Sequence, residues 1–364
     1  MVREPGLTLG DALEELRFPL LLKAPGAALR PERVAIGLVL LLWGAISASV
    51  GEAFGMLLPG SGGSLMSECF EQGRLIASGF WQDLASLSPA LVTDRVRLIF
   101  LGAPIQIFGA SPIGATVFVL LLLPGIGVCG GAIARSSAEE LGTRVRRGLV
   151  SSLWLGVSRA RHAVLGLLVG PVVAAVLAVP SSLLVAAAFG VGGEGLGIAL
   201  YGVALLLAIP AVAVLAVSVG ASVIIPSATV CEGSDGFDAS QRALAYVAGR
   251  PLYASFLLLL ATGLGLGVVW LLWVGARLAD AFVRSVVGGL SESARMVFDG
   301  EASGRGMALV DAWMIVPGLV IAAYGLSYLF TAGSAVYLVL REAIDGESRA
   351  SLWRPGTIGG TRDG

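Results

Sequence analysis

The chain has 364 residues, with 24 Lys and Arg against 25 Asp and Glu, a net charge of −1 and a mean hydropathy of +0.88. Hydrophobic residues make up 56% and charged residues only 13%, where a soluble domain carries about 25% charged. That excludes a water-soluble globule, and the near-zero net charge gives no basic field for nucleic acid.

In chain order, the first 33 residues hold Glu4, Asp11, Glu14, Glu15 and Glu32, unlike the short basic start of a secretory signal. The first apolar span is therefore expected to stay in the protein. Residues 8–18, TLGDALEELRF, predict a surface helix with Thr8 as N-cap and Leu9, Ala12, Leu13 and Leu16 on one face. Pro19 closes it. Apolar spans follow near 34–56, 113–134, 163–189, 196–226, 252–276 and 312–340. Four lie in runs with no Asp, Glu, Lys or Arg: Ala163–Gly193, Gly195–Cys231, Pro251–Ala276 and Ala312–Leu340. Each exceeds the roughly 20 residues that cross a bilayer core.

The segments between spans are patterned. In the loop 59–112, Leu65, Cys69, Ile76, Phe80, Leu84 and Leu87 follow helical spacing. Leu98–Ala110 is apolar but short, and reads as an interfacial or re-entrant piece. Residues 138–161 place Leu141, Val145, Leu149, Leu153 and Val157 on one stripe, with Arg144, Arg147 and Arg161 off it, which predicts an amphipathic basic helix at the headgroups. Residues 236–250 repeat the idea with Phe237, Leu244 and Val247. The loop 277–311 opens with another amphipathic pattern over 277–299. The fold expected is all-α: a polytopic membrane protein of six spans with interfacial helices between them, a single membrane domain over 1–346, and a disordered tail at 347–364. Three units, each a surface helix followed by a hairpin, can be parsed from this order. Trp154 and Tyr246 then occupy comparable places.

Orientation follows from Lys and Arg. The amino terminus, the 2–3 and 4–5 connections and the carboxyl terminus together hold 17, and the other side holds 7. Positive charge stays inside, so both termini are expected in the cytoplasm. A single Lys among these cations points to a GC-rich genome rather than a binding need. Cys69, Cys129 and Cys231 fall in different compartments, so no internal disulfide is expected.

Catalytic patterns are absent from the sequence. The one histidine, His162, has no carboxylate within four residues, and no span carries a base beside a serine. There is no HExxH, no GxSxG and no GxxxxGK[ST]. No cofactor or metal is expected. Glu52, the single charge inside a span, reads as interfacial. Pro171, Pro180, Pro210 and Pro226 permit breaks in spans 3 and 4 but serve equally as packing kinks. The pairs Gly51/Gly55, Gly127/Gly131, Gly166/Gly170 and Gly263/Gly267 predict close helix contacts, within the chain or between copies of a homo-oligomer.

The most specific segment is Glu232–Arg242, acidic where a helix begins, with Asp238 and Arg242 spaced to pair. Glu232, Asp235, Asp238, Arg242 and Arg250, with Arg144 and Arg147, are the candidate residues for binding a partner or lipid headgroup. This segment, PSATVCEGSDGFDASQRALAYVAGRP, resembles a loop of a family of bacterial polytopic, six-helix inner-membrane proteins. Its pattern is E-G-x-D-x-F-D-A-x-x-R followed by Y-V-x-x-R-P, matched by Glu232, Gly233, Asp235, Phe237, Asp238, Ala239, Arg242, Tyr246, Val247, Arg250 and Pro251. The ending AVYLVLREAIDGES is similar to that family's close at Tyr337, Leu338, Leu340, Arg341, Asp345 and Gly346. LGDALEELRFPL is a looser match. Cys231 stands where a small aliphatic residue is usual. The resemblance implies architecture and carries no activity with it. The expected role is a non-enzymatic inner-membrane scaffold, or partner- or lipid-binding component, acting through its cytoplasmic face. The alternatives are a permease for a neutral or lipid-like substrate through spans 3 and 4, and an interfacial lipid enzyme built on His162 and the nearby carboxylates.

Overall fold

The computed structural model describes residues 18–56, 64, 65, 67–69, 71–75, 94, 98, 102–298 and 312–353. Among these the chain is almost wholly helical and forms no strand. Water is missing from a bilayer core, so an apolar run there satisfies its backbone internally, as a helix does. A 3-10 turn, Phe18–Lys23, leads into α1 (Ala24–Ala28) and α2 (Pro31–Gly55). Then come α3 (Ala103–Ala110), α4 (Pro112–Gly125), a π turn at Ile126–Gly130, and α5 (Gly131–Thr143). Next are α6 (Leu149–Val191) and α7 (Gly193–Ser222). The remainder is α8 (Ile225–Glu232), α9 (Gly236–Gly249), α10 (Pro251–Leu290), α11 (Glu292–Phe298) and α12 (Ile315–Ile344).

Among the described residues six segments are long and apolar enough to cross a membrane: α2, the run α4–α5, α6, α7, α10 and α12. They coincide with the six spans expected. In the short stretch before α4 the described helix, α3, has eight residues, a rise of about 12 Å against a core of about 30 Å. The helix expected near 65–87 is helical at 67–69 and 71–75, and its remainder lies outside the described residues, as does the surface helix expected at 8–18.

Several helices run on where loops or separate helices were expected. Span 5 and the amphipathic stretch after it are one helix, since α10 continues through Leu290. The surface helix expected over 138–161 is two helix ends. Arg144 adopts left-handed backbone (φ 59°) and caps α5, and Gly148 is extended before α6 begins at Leu149. A left-handed C′ residue ends a helix by satisfying its last carbonyls, so the stripe from Leu141 to Val157 never forms one face. α6 instead runs straight into span 3. The breaks permitted at Pro171, Pro180 and Pro210 are not made, since between 149 and 222 Gly193 alone leaves helical backbone (φ 69°), whereas span 4 ends at Ser222 and Pro226 stands in the first turn of the separate helix α8. Gly170 touches Ser218 and Gly197 touches the Phe189 ring, so the chain reverses at Gly193.

The fold divides into two compact units, 39–126 and the rest. In the smaller, Trp43 Nε1 donates to the Leu121 carbonyl at 2.7 Å, and Gly51 and Gly114 face each other so closely that a Cβ on either lies 2.6 Å from the other's carbonyl oxygen. In the larger, α12 is the central post. Ala323–Arg341 is buried along most of its length, against α5, α10, α1 and α8. Hydroxyls tie it in place: Ser334 Oγ lies 2.9 Å from Ser227 Oγ and donates to the Ala134 carbonyl at 3.1 Å, and Ser327 donates to the Ala28 carbonyl at 2.9 Å. Such interhelical bonds contribute about 0.6–2 kcal/mol each in membranes. Of the glycine pairs, Gly127/Gly131 and Gly166/Gly170 pack against helix neighbours within this unit, whereas Gly263 and Gly267 meet nothing within 4 Å.

Of the tail, residues 347–353 are described, with Leu352 and Trp353 packed against the larger unit, and 354–364 lie outside the described residues. Left-handed Gly346 (φ 69°) turns the chain back, and Trp353 N donates to the Cys231 carbonyl at 2.8 Å. A Gly-, Arg- and Ser-rich composition resembles a disordered linker, but here Trp353 supplies an anchor.

Candidate functional site

The charged residues of four separate segments meet at one end of the larger unit. They are the start of α2, the α5–α6 turn, the α8–α9 loop and the end of α12. The meeting is built on over-subscribed carboxylates. Glu139 on α5 accepts from Arg135 Nε at 2.7 Å and from Arg147 Nε and Nη2 at 2.8 and 2.7 Å. Glu140, the next residue, accepts from Arg30 Nε at 3.1 Å and Arg33 Nη2 at 2.7 Å. Glu232 at the end of α8 lies 2.8 Å from Arg341 Nε, an ion-pair distance without hydrogen-bond alignment. It also accepts from the Tyr337 hydroxyl, and from Arg242 at 3.2 Å. Each carboxylate thus faces two guanidiniums.

Arg135 is only 1% exposed and joins three elements. Besides Glu139 it donates to the Val230 carbonyl at 2.8 Å and the Trp353 carbonyl at 2.7 Å. A buried guanidinium needs such full pairing. Trp353 is held from the other side by Arg159, whose guanidinium carbon sits 4.3 Å from the ring centroid. Left-handed Gly233 (φ 66°) leaves room for the indole: a Cβ there would fall 2.5 Å from it. Residues 346–353 therefore form a strap across α5, α6 and α8.

The predicted site residues divide. Glu232 and Arg242 pair with each other, and Arg242 does not pair with Asp238. Asp235 is the N-cap of α9, its Oδ1 accepting from Asp238 N at 2.9 Å. Asp238 and Arg250 are exposed, with no side-chain partner among the described residues. Arg147 is engaged by Glu139. Arg144 is exposed and free of partners among the described residues, and so is Arg146, which the sequence reading left out. Its adjacency to Arg144 and Arg147 was the available signal. α9 is amphipathic, but Ala239, Ala243, Tyr246 and Val247 of its buried face are covered by protein, largely by the α6–α7 pair. Tyr246 is buried while Trp154 is 74% exposed, so the two are not in equivalent settings.

Two clefts flank the α5–α6 turn. The larger, about 530 Å³, is lined by Arg135, Arg146, Arg147, Glu139 and, from the strap, Ala350 and Leu352. The smaller, about 320 Å³, is lined by Lys23, Arg30, Arg144, Arg146 and Glu140 among others. Arg146 lines both. Beside them Val145, Val150, Trp154 and Val157 are 57%, 78%, 74% and 55% exposed. The last three are spaced to share one face of α6.

Burial pushes the Cys231 thiol up to about 12, so it is protonated near neutrality. Burial, then the hydrogen bond to Asp345, also raises the Tyr246 phenol. All three cysteines are free. His162 Nε2 lies 3.1 Å from Arg161 Nε and accepts from it, which occupies the lone pair a general base would use. Among the described residues no three metal-ligating side chains gather. Comparison with known proteins gives no match: no family model, curated protein or solved structure aligns significantly with the chain.

Proposed function

We propose that this multi-pass membrane protein is a non-enzymatic docking component of a bacterial inner membrane, with both termini in the cytoplasm and an anionic partner received at the charged end. The observation that carries this reading is the unspent positive charge around the α5–α6 turn. Across the two clefts six cations, Lys23, Arg30, Arg135, Arg144, Arg146 and Arg147, face two carboxylates, Glu139 and Glu140. Both carboxylates are already doubly paired. Arg144 and Arg146 are left to an external anion, the ligand class that guanidinium forks recognise best. Glu232, Asp235 and Arg242, satisfied within the fold, shape this face, while Asp238 and Arg250 extend it. Helical backbone maintained through Pro171, Pro180 and Pro210 favours docking over a permease that works by unwinding spans 3 and 4.

A photo-crosslinking residue at Val145, beside both clefts, tests the reading in intact membranes. Crosslinks specific to position 145 are expected, and expected to fall at least fivefold when Arg144 and Arg146 are both changed to Gln. A crosslink profile unchanged by that double substitution would refute it.

A further inference from the structure

The clefts are paired, and their pairing restricts what fits. They lie on either side of one short turn and share the Arg146 side chain as a wall. Each has its own carboxylate held by two guanidiniums. Beyond those pairs the first cleft has the shared Arg146, with Arg147 bonded to Glu139 beside it, and the second has Arg144 and Arg146 with Lys23. A single phosphate would answer one cleft and leave the other uncompensated. At about 30 Å³ per water, either cleft has room for a phosphate with part of its water shell.

The neighbourhood decides the kind of molecule. Val150, Trp154 and Val157 form an exposed apolar stripe at the start of α6, and exposed Arg161 ends it before the charge-free run, where Leu165 is 56% exposed. Exposed aliphatic and indole groups beside cations at the mouth of a span match the boundary between headgroups and acyl chains. A ligand entering here presents anions to the clefts and hydrocarbon to the stripe.

Resting on the docking reading above, we infer that the twin clefts bind one phospholipid headgroup carrying two phosphates, a phosphate in each cleft with Arg146 between them. Its acyl chains lie along the Val150–Trp154–Val157 stripe. Arg144 and Arg146 are the discriminating residues, because the other guanidiniums are committed to Glu139 and Glu140.

The test uses the full chain in nanodiscs of neutral phosphatidylcholine, with added cardiolipin (two phosphates) or phosphatidylglycerol (one), and native mass spectrometry to count retained lipid. Cardiolipin is expected to bind at least tenfold more tightly than phosphatidylglycerol at equal phosphate. Arg146→Gln is expected to erase that preference, Arg144→Gln to weaken it severalfold, and Arg284→Gln, beside Asp280 on α10 and outside both clefts, to leave it unchanged. Arg144 and Arg146 are exposed and have no partner among the described residues, so their variants keep the fold, which a monodisperse elution profile checks. Equal binding of the two lipids, or a preference that survives Arg146→Gln, would overturn the inference. So would inorganic pyrophosphate competing as well as the lipid, since the site would then read phosphate without the chains. Position-145 crosslinks that still depend on Arg144 and Arg146 would in each case leave the docking reading standing. Loss of that dependence refutes docking itself.

Discussion

Gly233→Ala is predicted to detach the carboxyl-terminal strap. The backbone there is left-handed, at φ 66°, a conformation that costs a residue with a side chain about 1–2 kcal/mol. The new Cβ would also stand 2.5–2.7 Å from three atoms of the Trp353 indole, where carbon pairs rest near 3.5–4.0 Å. The ring has to leave. Its departure breaks the Trp353 N bond to the Cys231 carbonyl, worth about 1 kcal/mol, and the Arg135 bond to the Trp353 carbonyl, worth about 1.5–3 kcal/mol. The Arg159–indole contact adds about 0.5–2 kcal/mol. A loss near 3 kcal/mol or more raises the open population about a hundredfold, at 1.4 kcal/mol per factor of ten. Hydrogen exchange of the 346–353 segment in nanodiscs reads it directly. Trp353→Ala removes the clash, so adding Gly233→Ala to it should cost only the backbone strain, about tenfold. Exchange within threefold of wild type in Gly233→Ala would refute the strap.

Three further outcomes follow from the same geometry. Glu232→Ala leaves the Arg341 guanidinium, 4% exposed, without its main α8 partner and should destabilise by about 3–5 kcal/mol. Arg242→Ala removes only an exposed partner and should cost under about 1 kcal/mol; thermal unfolding in detergent that ranks the two equally would contradict this. Gly51→Leu should destabilise the smaller unit by about 1–3 kcal/mol or more, since Gly114 leaves no room for a side chain there; an unchanged unfolding midpoint would refute that contact. In alkali, the folded chain keeps protons on Cys231 and Tyr246 that the unfolded chain releases, because burial raises both groups. Stability is then full below about pH 9, the ordinary thiol value, and declines as pH climbs toward 12. A pH series in which stability rises between 9 and 11 would contradict that sign.

The spans were legible because lipid imposes one rule on every residue in them: no charge for some 20 positions and a satisfied backbone. Their ends were less so. The stripe from Leu141 to Val157 keeps helical spacing across a turn set by left-handed Arg144 and extended Gly148, and periodicity alone does not register a one-residue change of backbone. The candidate site was legible in its charges and not in their pairing. Asp238 and Arg242 are spaced to meet, yet Arg242 reaches across the α8–α9 loop to Glu232, and Asp238 serves the Asp235 cap through its backbone. Arg146 escaped notice because nothing in sequence says which arginine of a cluster is left without a carboxylate. That depends on Arg30 and Arg33, more than a hundred residues away, taking Glu140. Trp353 was hidden for a similar reason. A lone aromatic in a Gly- and Arg-rich tail looks solvated until Gly233, Arg135 and Arg159 are seen to form its seat.

The central claim is that the end carrying Arg144 and Arg146 faces the cytoplasm, where anionic partners are met. Single cysteines report it most directly, introduced in a Cys69→Ser background in which the two remaining native cysteines are buried. Glu194→Cys, beside the reversal at Gly193, should react with a membrane-impermeant maleimide in intact spheroplasts. Arg146→Cys should react only after the membrane is opened. Labelling of Arg146→Cys in intact spheroplasts, with Glu194→Cys protected, would invert the topology and contradict the account.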